Sequence, residues 1–310
     1  MGNAARGGGL NAAALAELLC WLDARGYDFV PPTPLTHDRA LRNGAARRDP
    51  LRDLFGWSVG IERPDPFLHA LLEAAGVLVP AADGWRSRVR VARLDGRLFL
   101  HSAYPTDAPD AVFLGPDSYR FARLIRAELA DWRGGGTLVD IGTGAGVGAV
   151  VACGVARPDR VIASDINPMA LELAAVSAAH AGCAVTFVAG RDLPDVGIDL
   201  AVANPPFLVD DGERAYRHGG AMRGCGVALD MATAALRRLN RGGRLVLYTG
   251  SPIVGGRDDF RAHLADAAGH AGATLRYDEI DPDIFGEELD RPAYAGVERI
   301  ALVAAIATKA

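Results

Sequence analysis

Lysine is almost missing from this chain: of 33 basic side chains in 310 residues, all but Lys309 are arginine. That bias, together with abundant alanine and 37 glycines, reads as genomic base composition rather than function. Half of the residues are hydrophobic, yet no run reaches the ~18 apolar residues that a membrane span needs. The segment Met1 to Gly9 has neither the charged start nor the apolar stretch of a secretory signal. A cytoplasmic protein without a membrane partner is therefore expected. The four cysteines, Cys20, Cys153, Cys183 and Cys225, form no Cys-x-x-Cys pair and have no histidine at ligand spacing. Neither a zinc site nor a disulfide framework is expected, and buried thiols are. Basic excess is missing too: the formal charge is -5, which argues against tight unspecific nucleic-acid binding and favours a small-molecule or protein partner. The sequence leaves the oligomeric state open.

What is present divides into two parts. Residues 1–112 carry 13 basic and 13 acidic side chains up to about position 110, with many prolines and short apolar stretches. They read as a smaller, mainly helical accessory or substrate domain. Asn11 is a good N-cap for a helix with Leu15, Leu18, Leu19 and Leu22 on one face and Gly26 at its end. A second helix is expected from Asp65 to Ala75, stopped by Gly76. Arg86 to His101 reads as a hairpin, with Val89 and Val91 on one arm, Leu98 and Leu100 on the other, and Asp95-Gly96 at the turn. Residues 113–310 alternate apolar strands with helices, the pattern of an α/β domain built on a parallel sheet. Strands are expected at 137–141, 160–164, 184–188, 200–203, 244–248, 275–277 and 300–306, and helices at 118–130, 147–156, 168–181, 227–239 and 258–271. Seven strands fit one sheet.

The strongest local signal is Val139-Asp140-Ile141-Gly142-Thr143-Gly144-Ala145-Gly146-Val147-Gly148, where an apolar strand ends in alternate glycines before a helix. Such a loop lets backbone approach a ligand while the helix N-terminus offers free N–H groups. A plain strand-to-helix turn is the bland reading, and the spacing departs from the Gly-x-Gly-x-x-Gly of dinucleotide sites. Asp165 ends the next strand 23 residues after Gly142, where a doubly wound fold places a carboxylate for ribose hydroxyls, with Ile166 beside it. Ser164, Asp165 and Asn167 could equally cap the helix begun by Pro168. After the fourth strand comes Asn204-Pro205-Pro206-Phe207, at the sheet edge where such folds bind ligands. Its prolines fix the backbone and hold Asn204 out of the helical region. A double-proline turn with a core phenylalanine is the alternative.

In this order the motifs resemble class I S-adenosylmethionine-dependent methyltransferases, the amino-methylating group with an Asn-Pro-Pro-Tyr/Phe loop. The chain is most similar to small-domain methyltransferases such as the release-factor glutamine and ribosomal RNA guanine enzymes. The resemblance implies a Rossmann-like seven-stranded sheet with an antiparallel last strand, S-adenosyl-L-methionine as cofactor, and no metal. It implies that Asn204 and Pro205 accept hydrogen bonds from a target NH₂, that Phe207 packs on a planar substrate, and that Asp192 holds the adenine amine. It places Asp140 near the methionine amine and the segment from Phe113 to Tyr119 over the methionine moiety, alongside Gly142, Thr143, Gly144, Gly146, Asp165 and Ile166. The glutamine enzymes usually have Tyr at the position of Phe207, and the N-terminal region does not read as their helical substrate domain.

The segment from Asp210 to Gly226, with Arg214, Tyr216, Arg217 and His218, reads as a mobile substrate lid or a solvated connector. Arg86, Arg88, Arg90, Arg93 and Arg97 read either as an exposed strand face or as a basic face on the hairpin for an RNA or acidic partner. The expected activity is methylation of an amino or amide nitrogen. Two alternatives remain: a synthase that cyclises the cofactor to azetidine-2-carboxylate and releases methylthioadenosine, and a non-catalytic cofactor- or RNA-binding module.

Overall fold

The computed structural model describes residues 9–82 and 84–310. The expectation about the start of the chain falls, Gly9 apart, outside them. The N-terminal part begins with α1 (Ala12–Asp23), capped by the Asn11 side chain, which accepts from the Ala13 and Ala14 amides. Helix α2 (Pro34–Arg42) follows a cap at Thr33, and a short α3 (Pro50–Arg52) runs into a π-helical turn at Asp53–Trp57. Helix α4 (Pro66–Ala74) is capped by Asp65. Strands β1 (Leu78–Ala81) and β2 (Gly84–Ser87) form an antiparallel pair. Sequence periodicity missed it because Pro80 sits inside a four-residue strand. Strands β3 (Val89–Leu94) and β4 (Arg97–Ser102) form the expected hairpin around Asp95-Gly96, both at positive φ as a two-residue hairpin turn requires.

This hairpin corrects one reading. Val89, Arg90, Val91 and Ala92 are all buried, as are Leu98, Phe99, Leu100 and His101, so both faces are covered. Arg90 is 4% exposed and its guanidinium lies over the Phe29 ring, while Arg88 remains exposed. The alternation of arginines fails as a guide because the hairpin is wedged between the π-helical turn and the C-terminal part, which cover most of both faces.

The second part follows the expected alternation: α5 (Pro116–Glu128), β5 (Thr137–Ile141), α6 (Val147–Ala156), β6 (Arg160–Asp165), α7 (Pro168–His180), β7 (Thr186–Ala189), β8 (Ile198–Ala203), α8 (Gly226–Arg238), β9 (Leu239–Ile253), α9 (Asp259–His270), β10 (Ala273–Asp281) and β11 (Arg299–Lys309). The sheet order is β10-β11-β9-β8-β5-β6-β7. The five strands from β9 to β7 run parallel, and β11 lies antiparallel between β9 and β10. Strand order reverses at β5, so β5 and β8 open a crevice at their carboxyl ends.

The two parts share one apolar core. Leu18, Leu22, Val91 and Leu100 join Leu173, Val176 and Val150 in a continuous cluster, and the Leu100 amide donates to Ser177 Oγ at 3.0 Å. Among the described residues no helix is long and apolar enough to cross a membrane, and no group of His, Cys, Asp and Glu could hold a metal ion.

Candidate active site

A cavity of about 810 Å³ opens at the carboxyl ends of β5, β6 and β8. Its floor is the glycine loop. Gly142, Gly144 and Gly146 take φ of +70°, +53° and +88°, which side chains rarely adopt. The Gly142 and Thr143 amides donate to the Ser164 carbonyl at 2.8 and 2.9 Å, binding the loop to the neighbouring strand. Asp140 is 1% exposed, and its Oδ2 accepts from Thr143 Oγ1 at 2.5 Å and from the Ala149 amide at 2.8 Å. Burial pushes this carboxyl up to about 6. Gly148 makes room for it, since an added Cβ there would collide with the carboxylate. Gly148 closes the run of alternate glycines read from the sequence, although no site role was expected of it.

Asp165 stands opposite. Its Oδ2 accepts from the Gly144 amide and its Oδ1 from the Asn167 amide, both at 2.9 Å, while Asn167 itself caps α7. Burial raises the Asp165 carboxyl too. Each oxygen keeps a second lone pair for a ligand hydroxyl. Ile166, 46% exposed, presents an apolar side chain on the cavity wall. Asp117 and Ser118 line the same half, and Asp117 Oδ1 accepts from the buried Tyr248 hydroxyl at 2.8 Å.

Asn204 leaves β8 at the centre of the wall, followed by buried Pro205, half-buried Pro206 and Phe207. Among the described residues Asn204 makes no side-chain hydrogen bond with the protein. Phe207 is 8% exposed, packs over Gly250 and sits 5.8 Å from the Phe285 ring, so it serves the core while one edge lines the cavity.

Three expected residues lie elsewhere. Tyr119 is not on the wall; its hydroxyl donates to the Arg93 carbonyl at 2.8 Å, tying α5 to the hairpin. Gly146 is also off the wall, and an added Cβ there would come 3.2 Å from Ala174 Cβ, so this glycine lets α6 approach α7. Asp192 is exposed beyond the rim, where Gly190, Arg191 and Leu193 supply the wall. The resemblance places Tyr119 and Asp192 at the cofactor, and in this fold neither side chain lies on the wall, while Gly146 serves the packing of two helices.

The segment after Phe207 is neither a loose lid nor a solvated connector but a pinned roof. Asp210 is 4% exposed and is gripped by Arg214, with Nε to Oδ2 at 2.9 Å and Nη2 to Oδ1 at 2.5 Å. That guanidinium holds the Asp210 carboxyl down at about 2. Tyr216 stacks on Phe113 at 5.4 Å and donates to the Thr106 carbonyl. Arg217 pairs with buried Glu288, whose second oxygen takes Arg291 at 2.8 Å. The Val209 amide donates to the Tyr294 hydroxyl at 2.8 Å. His218 lines the cavity, but its Nδ1 accepts from the Asp210 amide at 3.2 Å. That bond occupies Nδ1 and leaves Nε2 as the ring nitrogen open to the cavity.

The sheet order, the glycine loop after β5 and the carboxylate at the end of β6 define the class I methyltransferase architecture. Residues 122–253 match the family model described as "Methyltransferase small domain". The chain is 34% identical over 144 residues to the release factor glutamine methyltransferase of Neisseria gonorrhoeae, covering 41% of this chain and 52% of that protein. It is 42% identical over 76 residues to the enzyme of the same name from Enterococcus faecalis, covering 23% of this chain and 27% of that one. The chain thus spans about half, or less, of the length of these curated relatives. Among solved structures, wild-type Trm5b from Pyrococcus abyssi matches in fold with a TM-score of 0.51, at 14% identity over 80% of this chain and 71% of that one.

Proposed function

We propose that the protein transfers a methyl group from S-adenosylmethionine to an amino or amide nitrogen of a small planar acceptor. The carrying observation is Asn204: a half-buried amide on the cavity wall whose side chain makes no hydrogen bond among the described residues, next to a loop fit for the cofactor. The fit of that loop is physical. An added Cβ at Gly144 would meet nothing within 4 Å, so the backbone there faces open space. Asp117, Asp140 and Asp165 give this half of the cavity the negative charge and hydroxyl acceptors that suit a ribose and two cationic groups, and Ile166 offers an apolar face to an adenine.

When bound, the cofactor supplies an electrophilic methyl carbon on its sulfonium. The chain's own residues provide alignment. Asn204 Oδ1 and the Pro205 carbonyl accept the two N–H groups of the acceptor, which holds the nitrogen with its lone pair turned toward the methyl side. The prolines fix both oxygens beforehand, so little reorganisation accompanies reaction. The relatives named for release factor glutamine carry an amide acceptor by that name, and the same pair of oxygens suits one. A small acceptor is favoured over a protein loop because the roof is tied to Thr106 on the N-terminal side and to Glu288 and Tyr294 on the other.

The test supplies isotope-labelled S-adenosylmethionine with a panel of aromatic amines and primary amides. Methyl transfer that falls about 10²-fold in Asn204→Ala, with S-adenosylhomocysteine affinity unchanged, is expected for a lost preorganised contact. Methylthioadenosine accumulating without acceptor would replace this reading by cofactor cyclisation, and full activity in Asn204→Ala would remove the assignment.

A further inference from the structure

We propose that Cys20 is a site of reversible thiolation by low-molecular-weight disulfides, with His180 as the base that takes its proton. Cys20 is the exposed member of the four free thiols; Cys183 and Cys225 are buried and Cys153 is half-buried. Its Sγ lies 3.8 Å from His180 Nδ1, and His180 Nε2 lies 3.6 Å from Asp23 Oδ2. Asp23 is fixed in turn, because its Oδ1 accepts from Arg93 Nη2 at 2.7 Å. This is the order nucleophile, base and orienting carboxylate that activates a thiol.

The placement follows from the fold. Cys20 and Asp23 stand three residues apart on α1 and share one face. His180 is the last residue of α7, so its ring projects at the end of that helix beside α1. Packing of α1 on α7 brings the three together across the seam between the N-terminal and catalytic parts. None of them lines the catalytic cavity, so the methyltransferase reading does not account for them.

The orientation fits a proton relay. The carboxylate of Asp23 faces Nε2 and keeps the proton there, which leaves Nδ1 free to accept from the thiol. In the reaction the Cys20 proton passes to Nδ1, Sγ bonds to one sulfur of the incoming disulfide, and the S–S bond breaks. The departing thiolate collects the proton, and a mixed disulfide remains on Cys20.

The experiment treats the full chain with oxidised glutathione and follows adducts by intact-mass and peptide mass spectrometry. One adduct is expected, on Cys20, and Cys20→Ser removes it. His180→Gln slows adduct formation by about tenfold, as loss of a positioned base does; Asp23→Asn slows it less. Glu17→Gln, an exposed change on the same helix, leaves the rate unaltered. Circular dichroism confirms that each variant is folded. Adducts concentrated on another cysteine, equal rates in wild type and both His180→Gln and Asp23→Asn, or equal slowing in Glu17→Gln would each overturn the proposal.

Discussion

The two halves of the cavity are built by opposite means. The glycine-loop half comes mainly from one stretch, β5 through the start of α7, joined by Asp117 and Ser118, and is held by bonds from loop amides, Gly142 to the Ser164 carbonyl and Gly144 to the Asp165 carboxylate. The roofed half is gathered from Pro34, Phe113, Phe207, the segment 208–218 and Phe285, far apart in sequence and joined by side-chain pairs. The first half is fixed by backbone conformation, which tolerates one kind of residue at each turn. The second is fixed by ion pairs and ring contacts, which different chains can exchange. A cofactor shared by many enzymes suits the first construction, and an acceptor particular to one enzyme suits the second.

If that division holds, substitutions sort by half, and the largest contrast pairs Asn204→Ala with Gly148→Ala. The former reduces turnover by about 10²-fold and spares S-adenosylhomocysteine binding. The latter drives a methyl into the Asp140 carboxylate, lowers stability by about 1–3 kcal/mol as overpacking does, and weakens S-adenosylhomocysteine binding along with activity. Calorimetry on both variants checks it; equal loss of cofactor affinity would abolish the contrast.

A smaller effect is expected at the roof. Tyr216→Ala removes the stack on Phe113 and the bond to the Thr106 carbonyl. Acceptor KM should rise by about tenfold, in line with roughly 1–2 kcal/mol for a buried ring contact plus a hydrogen bond. Cofactor affinity should stay within twofold. A change confined to cofactor binding would place Tyr216 in the other half.

Acid separates the N-terminal and catalytic parts by sign. Burial, aided by the Arg90 charge, lowers His37 from 6.5 to about 4, and His101 is lowered for the same two reasons. The unfolded chain therefore binds more protons than the folded one below pH 6.5, and stability is lost as pH falls from there toward 4. Asp140 acts in reverse. Its carboxyl is raised to about 6, so its favourable contribution is complete below 3.8 and is lost as pH rises through 6. Asp140→Asn keeps one oxygen for Thr143 and Ala149, and should raise the melting temperature at pH 7.5 more than at pH 5. His37→Leu should flatten the decline between pH 6.5 and 4. Thermal melts across that range test both, and matching pH profiles for wild type and His37→Leu would refute the assignment.

Legibility in the sequence follows the same line. Helix α6 and strand β5 match their expected limits because caps, glycines and apolar runs are local. The glycine loop, Asp165 and Asn204 share the cavity wall for the same reason: sheet topology alone brings strand ends together. The roof was visible only as a run of polar residues, because Arg217 finds Glu288 seventy-one positions away and no local pattern announces it. The hairpin arginines misled in the opposite direction, since alternation reports an exposed face only where a sheet has one, and Arg90 is enclosed on both sides.

The smallest effect is expected at the rim, where sequence position and side-chain direction disagree. Asp192 stands in the loop after β7, where the resemblance puts a carboxylate for an adenine amine, yet it lies exposed outside the wall formed by Gly190, Arg191 and Leu193. Asp192→Ala should therefore alter S-adenosylhomocysteine affinity by less than about twofold, within the range of a surface substitution. Asp165→Ala should weaken it by about tenfold or more, because a half-buried carboxylate that could take ligand hydroxyls also fixes the Gly144 amide. Titration calorimetry on the two variants ranks them directly. A larger loss at Asp192 would mean that the loop turns inward when adenosyl is bound, and that the cofactor half is assembled by motion rather than by backbone alone.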